Sequence, residues 1–402
     1  MLFENILKDD FIKRQNICKN EIKRRGLTGL MIWSRGGGVF DRYADVDYLA
    51  NHYQQRCYLP DNLPLWSGRS HSVLFITTDS KPILIVSSPE YKNELIMVDD
   101  IRYNTNFYDE IFKVIEELEM NNGKIGIIGS DVMTYHHFNQ IDNLISNLEF
   151  IESDDILSKV KMIKTPREIK SIKEACRIGT KAIDITMSNV EEGKTESQVI
   201  APALEHVFSE GAALYFTVTS SGPYVNSAHS KDFPGYDNSR LLNKGEIFRI
   251  DLIIVYEGYI CDFGRSTVVG GDLTNKQKEM LDGVTAACEY VIDKIKPGIS
   301  VKEICEFGDN YLTENNVIIS TDYDDSSKIY SAYPPHWGHG IGMTWERPWL
   351  VKDEEIIIKE NMYLAIEKSL YCPDVGTVSY EQNILVTEKG SEILTKSKKR
   401  WY

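Results

Sequence analysis

No two cysteines of this chain stand in a CxxC pair. The seven, Cys18, Cys57, Cys176, Cys261, Cys288, Cys305 and Cys372, are odd in number and scattered, so they read as reduced cytosolic thiols and not as a disulfide framework. An excess of basic charge is missing too. With 45 Lys and Arg against 60 Asp and Glu, the formal net charge is −15, which argues against a nucleic-acid or anionic-membrane partner, since both need clustered cations. No stretch approaches 18 uninterrupted apolar residues, and the opening MLFENILKDDFIKRQ holds acids and no apolar run of signal length. The expectation is a cytoplasmic protein acting on small molecules or peptides.

What is present is an ordinary globular composition, 42% apolar and 26% charged over 402 residues, and that length favours two or three domains. The first 155 residues alternate helical and strand-like segments. Asp9 to Arg25, Phe107 to Met120 and Met133 to Leu148 read as helices; Leu27 to Trp33, Ser72 to Thr77, Pro82 to Ser87 and Lys124 to Gly129 read as strands. An α/β domain over 1–158 follows. A long irregular stretch, Arg35 to Arg69, carries Gly36, Gly37, Gly38, Pro60, Pro64 and Trp66, and a loop of that size is usually functional or interfacial. The boundary sequence KMIKTPRE places Thr165 as N-cap, Pro166 as first helical residue and Glu168 at capping-box spacing, opening a second domain over 159–402. Within it EEGKTESQVI is echoed 105 residues later by KPGISVKEIC: Gly193 matches Gly298, Thr195 Ser300, Gln198 Glu303 and Val199 Ile304. Such a match fits a two-fold repeated α/β half, or a common helix junction met twice.

Five side chains of metal-binding type follow in order: Asp251, Asp262, His339, Glu367 and Glu381. FRIDLIIVYEGYICDFGRST reads as a β-hairpin turning at Glu257 and Gly258. If Tyr256 pairs with Tyr259, Asp262 falls opposite Ile253 and Asp251 opposite Gly264, with both carboxylates on one face. Strand aspartates can also face solvent, though this run is very apolar. His339 sits among the glycines of GHGIGMTWERP, which suit close approach of backbone; such a histidine is a ligand or a hydrogen-bonded structural residue. Glu367 and Glu381 lie fourteen apart in a strand-turn-strand context that again puts both on one face, as ligands or as edge carboxylates. Four carboxylates and an imidazole form an oxygen-rich set suited to two divalent ions, Mn²⁺ first, with Zn²⁺, Co²⁺ or Fe²⁺ as alternatives. His229, in SSGPYVNSAHS, is a candidate to hold substrate or shuttle a proton, or a plain surface histidine. His52, His71, His136, His137 and His206 read as structural.

Together IKTPREI, EEGKTESQV, the NSAH around His229, RIDLIIVYEGYICDFGRS, GHGIG, ENMYLAIE and YEQNILVTEKG resemble the pita-bread metallopeptidase superfamily, in its prolidase, aminopeptidase P and creatinase branch. The resemblance spans nearly the whole chain. It implies a creatinase/prolidase-like α/β domain followed by a pita-bread catalytic domain with a pseudo-two-fold repeat. It also implies that Asp251, Asp262, His339, Glu367 and Glu381 are metal ligands, with Asp262 and Glu381 bridging. By the same resemblance His229 contacts substrate, and Glu367 relays a proton to the leaving amine after a bridging hydroxide attacks the carbonyl. That branch usually forms homodimers; the loop bearing Trp66 and Arg69 is the candidate to approach a partner's site, which makes Arg69 a candidate substrate contact.

Several positions depart from the pattern. Trp345, before Glu346, stands where peptidase members carry a second histidine; both are candidate substrate contacts. The tryptophan is expected to remove a hydrogen-bond donor and add an aromatic face that favours a cationic or apolar small substrate. Lys368 replaces a proline, Ser379 an arginine, and Pro335 a histidine, with His336 displaced by one. The expected activity is a metal-dependent Xaa-Pro dipeptidase or aminopeptidase. The alternative is a non-peptidase of the same fold acting on a small zwitterion, by creatinase-like or ectoine-hydrolase-like C–N hydrolysis or as a dimethylsulfoniopropionate-type lyase. A catalytically silent binding module is disfavoured by the intact ligand set.

Overall fold

Apolar β-branched runs near the amino terminus are buried along their whole length, as expected of central strands covered on both faces. The computed structural model describes residues 8–36, 44–54, 56, 59–145, 148–231, 235–317, 325–332 and 335–402. It divides into two units, Met1–Val160 and Lys161–Tyr402. The first unit runs α1 (Lys8–Arg25), β1 (Gly29–Arg35), α2 (Ala44–Ala50), β2 (His71–Ile76), β3 (Ile83–Val86), β4 (Asp100–Tyr103), α3 (Phe107–Glu117), β5 (Gly123–Ile128), α4 (Tyr135–Asp142), β6 (Leu148–Glu152) and α5 (Asp155–Lys161). Its six strands form one mixed sheet in the order β4-β3-β2-β1-β5-β6, and Trp33, Phe75, Phe107 and Ile111 pack in the core against it.

Two expectations change here. The stretch Arg35 to Arg69 contains α2, whose Val46, Tyr48, Leu49 and Ala50 are buried. Seven residues are too few to show a helical period, and tertiary contacts hold the turn: Arg14 of α1 donates to the Tyr48 carbonyl at 2.8 Å, and Gln15 to that of Leu49 at 2.9 Å. Gly37, Gly38 and Cys57 lie outside the described residues. The helix expected up to Leu148 ends at Asp142, and Leu148 begins a strand.

The second unit contains α6 (Pro166–Ser188), α7 (Glu196–Ser209), β7 (Ala213–Ser221), β8 (Ile247–Tyr256), β9 (Tyr259–Val268), α8 (Asn275–Lys294), α9 (Val301–Glu314), β10 (Tyr330–Ser331), β11 (Gly338–Ile341), β12 (Trp345–Trp349), β13 (Tyr363–Cys372), β14 (Gly376–Thr387) and β15 (Gly390–Ile393). Helices α6 to α9 each open on a complete capping box, at Thr165 with Glu168, Thr195 with Gln198, Thr274 with Gln277 and Ser300 with Glu303. The echoed segments therefore start equivalent helices. One helix pair precedes the sheet β7-β8-β9, the other the sheet β12-β11-β13-β14-β15. Among the described residues no helix is long and apolar enough to cross a membrane.

Candidate active site

The hairpin of β8 and β9 turns at Glu257 and Gly258, both at positive φ (48° and 83°), the requirement of the two-residue turn that matches strand twist. Tyr256 pairs with Tyr259, so Asp251 lies opposite Gly264 and Asp262 opposite Ile253. Both carboxylates leave one face. In the second hairpin Glu367 and Glu381 are direct cross-strand partners. His339 lies on β11 beside Ala365 of β13. The glycines around it serve neighbouring strands: a Cβ on Gly338, whose φ is +121°, would collide with the Ala365 carbonyl, and one on Gly340 with that of Arg347.

Side chains stitch the two sheets together where no backbone ladder joins them. Asn383 of β14 accepts from the Asp262 amide at 2.9 Å and donates to the Asp262 carbonyl. Further along β14, the Ser379 amide donates to Ser266 Oγ at 2.9 Å. That seam brings the two hairpins' carboxylates together. Ligating atoms of Asp262, His339 and Glu381 lie within 4.8 Å of one another. His339 Nε2 is 3.4 Å from Glu367 Oε1 and 3.8 Å from Asp262 Oδ2, and Asp251 and Glu381 are close enough to act on each other's charge.

The electrostatics are those of a crowded anion cluster. Burial, then the neighbouring carboxylates, pushes Asp251 and Glu381 well above the usual range; burial chiefly takes Asp262 up to about 6. For Glu367 burial acts upward, but its bond to His339 and nearby positive charge hold it low. Burial alone would lower His339; the bond to Glu367 and the charges of Glu367 and Asp262 raise it instead. Asp251 Oδ1 and Glu381 Oε1 are buried without a hydrogen-bond partner. Buried carboxylate oxygens facing one another without donors are what a divalent cation satisfies, so these residues fit the expected metals.

The other candidates differ in how they relate to this cluster. Trp345 does not remove a donor, contrary to expectation: its indole N–H donates to Asp262 Oδ2 at 2.7 Å, and its ring meets Tyr215 edge-on at 5.5 Å. Strand β12 alternates, so Glu346 points the other way and is paired with Lys164 at 2.6 Å, both buried. Arg69 belongs to the amino-terminal unit, with its guanidinium 4.8 Å above the Trp66 ring. His229 packs edge-on against Phe216, its Nδ1 buried without a partner and its pKa lowered by burial. Lys368 alternates away from Glu367 and lies 4.8 Å over the Trp337 ring.

Two neighbours carry no site role in the sequence analysis, where His336 stands only as a displaced histidine and Arg249 is not named. His336, although displaced by one position, places Nδ1 3.6 Å from Glu367 Oε1 while accepting from the Gly338 amide at 3.1 Å. Arg249 precedes Asp251 by two on β8 and so shares its face; that spacing was the available signal.

Comparison with known proteins agrees with this architecture. The model of metallopeptidase family M24 matches residues 170–388, and that of the creatinase/prolidase N-terminal domain residues 14–163. An Xaa-Pro dipeptidase of Pyrococcus horikoshii is 30% identical over 295 residues, 72% of this chain and 77% of that protein. One from Pyrococcus furiosus is 29% identical over 297 residues, covering 73% and 78%. The crystal structure of the prolidase from P. horikoshii superposes with a TM-score of 0.77 at 24% identity, covering 97% of this chain and 100% of that one, a likeness of fold. The chain therefore belongs to metallopeptidase family M24, in the pita-bread branch of prolidase and aminopeptidase P, and is a metallohydrolase.

Proposed function

We propose that the protein is a dinuclear-metal-dependent Xaa-Pro dipeptidase or aminopeptidase-like hydrolase. The observation that carries this reading is the buried cluster of facing carboxylates with unpartnered oxygens on Asp251 and Glu381, in a chain whose similar proteins include Xaa-Pro dipeptidases. Asp251, Asp262, His339, Glu367 and Glu381 would hold two divalent ions, Mn²⁺ first among them, with Asp262 and Glu381 shared between both. When bound, such ions polarise a carbonyl and acidify a water at neutral pH.

The chain's own groups supply the rest. Glu367, kept ionised by His339, is suited to accept a proton and pass it to the leaving amine. His229, with an unpartnered ring nitrogen, contacts substrate. Trp345 donates to Asp262 Oδ2 and would fix the orientation of that carboxylate. Homodimer assembly and a cytoplasmic location belong to the same reading; a light-scattering mass twice that of one chain would support the first.

The deciding experiment offers the protein, stripped of metal and reloaded with Mn²⁺, a panel of X-Pro dipeptides, X-Ala controls and longer X-Pro peptides. Metal-dependent cleavage confined to X-Pro bonds is the expected result. Stoichiometric metal binding without cleavage would favour the small-zwitterion hydrolase or lyase, a reading that the aromatic pair Trp345 and Tyr215 beside Asp262 supports.

A further inference from the structure

Arg249 is a cation set beside the acidic cluster with very little bonded to it. It leaves the same face of β8 as Asp251, and its neighbours across the sheet, Ser220 on β7 and Ser266 on β9, are both small. Their size leaves room above the strand for a guanidinium. Of its five N–H donors, Nη2 donates to the Ser227 carbonyl at 2.9 Å, while Nε is buried with no partner. Asp251 and Glu367 are near enough to act on its charge, but neither carboxylate bonds to it. Ser227 lies two residues before His229, so the guanidinium also ties the His229 segment to the strand that carries Asp251. A partly buried guanidinium whose Nε has no partner gains from an anion, and its planar fork matches a carboxylate through two parallel bonds.

We infer that Arg249 is the anchor for a substrate carboxylate, and that it biases the site toward dipeptides, whose terminal carboxylate lies one residue beyond the scissile bond. This rests on the peptidase reading above and narrows it. Longer peptides and amidated dipeptides place no carboxylate at that distance. Arg249 is thus a specificity residue, acting on the substrate and not through the metal ligands.

The test compares glycyl-proline with glycyl-prolinamide on Mn²⁺-loaded wild type, Arg249→Lys and Arg249→Met. The expected result is a KM for glycyl-proline raised about 100-fold in R249M, the worth of a charged hydrogen-bonded pair, and raised less in R249K. The KM for the amide should change by less than about 3-fold in either variant. Equal losses for acid and amide would overturn the proposal and make Arg249 a structural tie between Ser227 and β8. Calorimetric binding of the same two ligands to metal-free wild type, R249K and R249M separates the two readings. If the loaded protein cleaves no peptide yet binds glycyl-proline over its amide in an Arg249-dependent way, the anchor stands and the peptidase assignment falls. No preference for the acid by wild type overturns the anchor whatever the activity, and needs no variant to fold.

Discussion

The protein holds two compact clusters of acidic and histidine side chains, one in each unit: in the first His136 is exposed and Asp61 half-buried, in the second all three are buried. In the amino-terminal unit Asp61, His136 and His137 bring ligating atoms within 4.8 Å of one another, as Asp262, His339 and Glu381 do in the second unit. The donors offered to the carboxylates separate them. Asp61 receives the Gly68 amide at 2.8 Å and the Tyr108 hydroxyl at 2.6 Å, and His136 Nε2 lies at 3.0 Å; Tyr108 also meets His137 Nδ1 at 2.6 Å, and Trp33 donates to His71 Nδ1 at 2.8 Å. Burial would raise the Asp61 carboxyl, but these donors hold it below the ordinary range. In the second unit carboxylates face carboxylates, and two of them are pushed well up. Residue type alone makes both look like metal sites, and His137 Nε2 in the first is also buried without a partner, but carboxylate oxygens left without donors mark only the second.

The sharpest way to break that contrast is to remove a carboxylate. Asp262→Asn and Glu381→Gln should lose bound metal, as measured by elemental analysis. Turnover should fall about 10³-fold or more, the loss of several kcal/mol of electrophilic stabilisation. The metal-free variants should nevertheless melt no lower than wild type at pH 7.5, because each removes a charge from an uncompensated cluster. Full activity in either variant would end the bridging assignment.

pH should pull the clusters in opposite directions in the metal-free protein. The folded pKa of Asp262, about 6, lies above its unfolded value of about 3.9; its contribution to stability is complete below about pH 4 and is lost as pH rises through 6. Burial takes His137 down to about 4 and His71 to about 2, below an unfolded value of about 6.5; their contribution is present above that value and is lost as pH falls. The gap between the folded and unfolded pKa of Asp262 corresponds to on the order of 3 kcal/mol. Mn²⁺ should therefore raise the melting temperature more at pH 7.5 than at pH 5, where protons already occupy the cluster. An equal gain at both would show that the carboxylates do not compete for protons.

Tyr108→Phe tests the donors around Asp61. It takes a donor from Asp61 and strands the His137 ring nitrogen, at a cost of roughly 1–3 kcal/mol in a urea titration, with metal stoichiometry unchanged. A drop in stoichiometry would erase the distinction between the clusters.

How much of this was legible in the sequence depended on the range of the cause. The Glu257–Gly258 turn is local, and it sets the register that puts Asp251 and Asp262 on one face; the same holds for Glu367 opposite Glu381 and for the capping boxes. Hydrogen bonds between distant elements were not legible. Lys164 meets Glu346 across 182 positions, and Trp345 meets Asp262 across 83. The sequence shows His336 only as a histidine displaced by one position, an offset that gives it no role on paper, yet its side chain still reaches toward Glu367. The short helix α2 carries no periodic signal, and its existence depends on Arg14 and Gln15 far upstream.

The smallest expected effect belongs to Trp345, which shows how a closed bond serves an open cluster. Its N–H satisfies one oxygen of Asp262, and such outer partners of ligating carboxylates are typically worth about 10- to 100-fold in affinity or rate. Trp345→Phe keeps the edge-on packing against Tyr215 and deletes only the donor. Metal affinity should weaken about 10-fold, read by competition with a fluorescent chelator, while the melting temperature of the metal-free protein stays nearly constant. Trp345→His restores an N–H on a shorter side chain and should recover part of the loss. If phenylalanine left metal affinity untouched while lowering stability, Trp345 would serve the core and not the site.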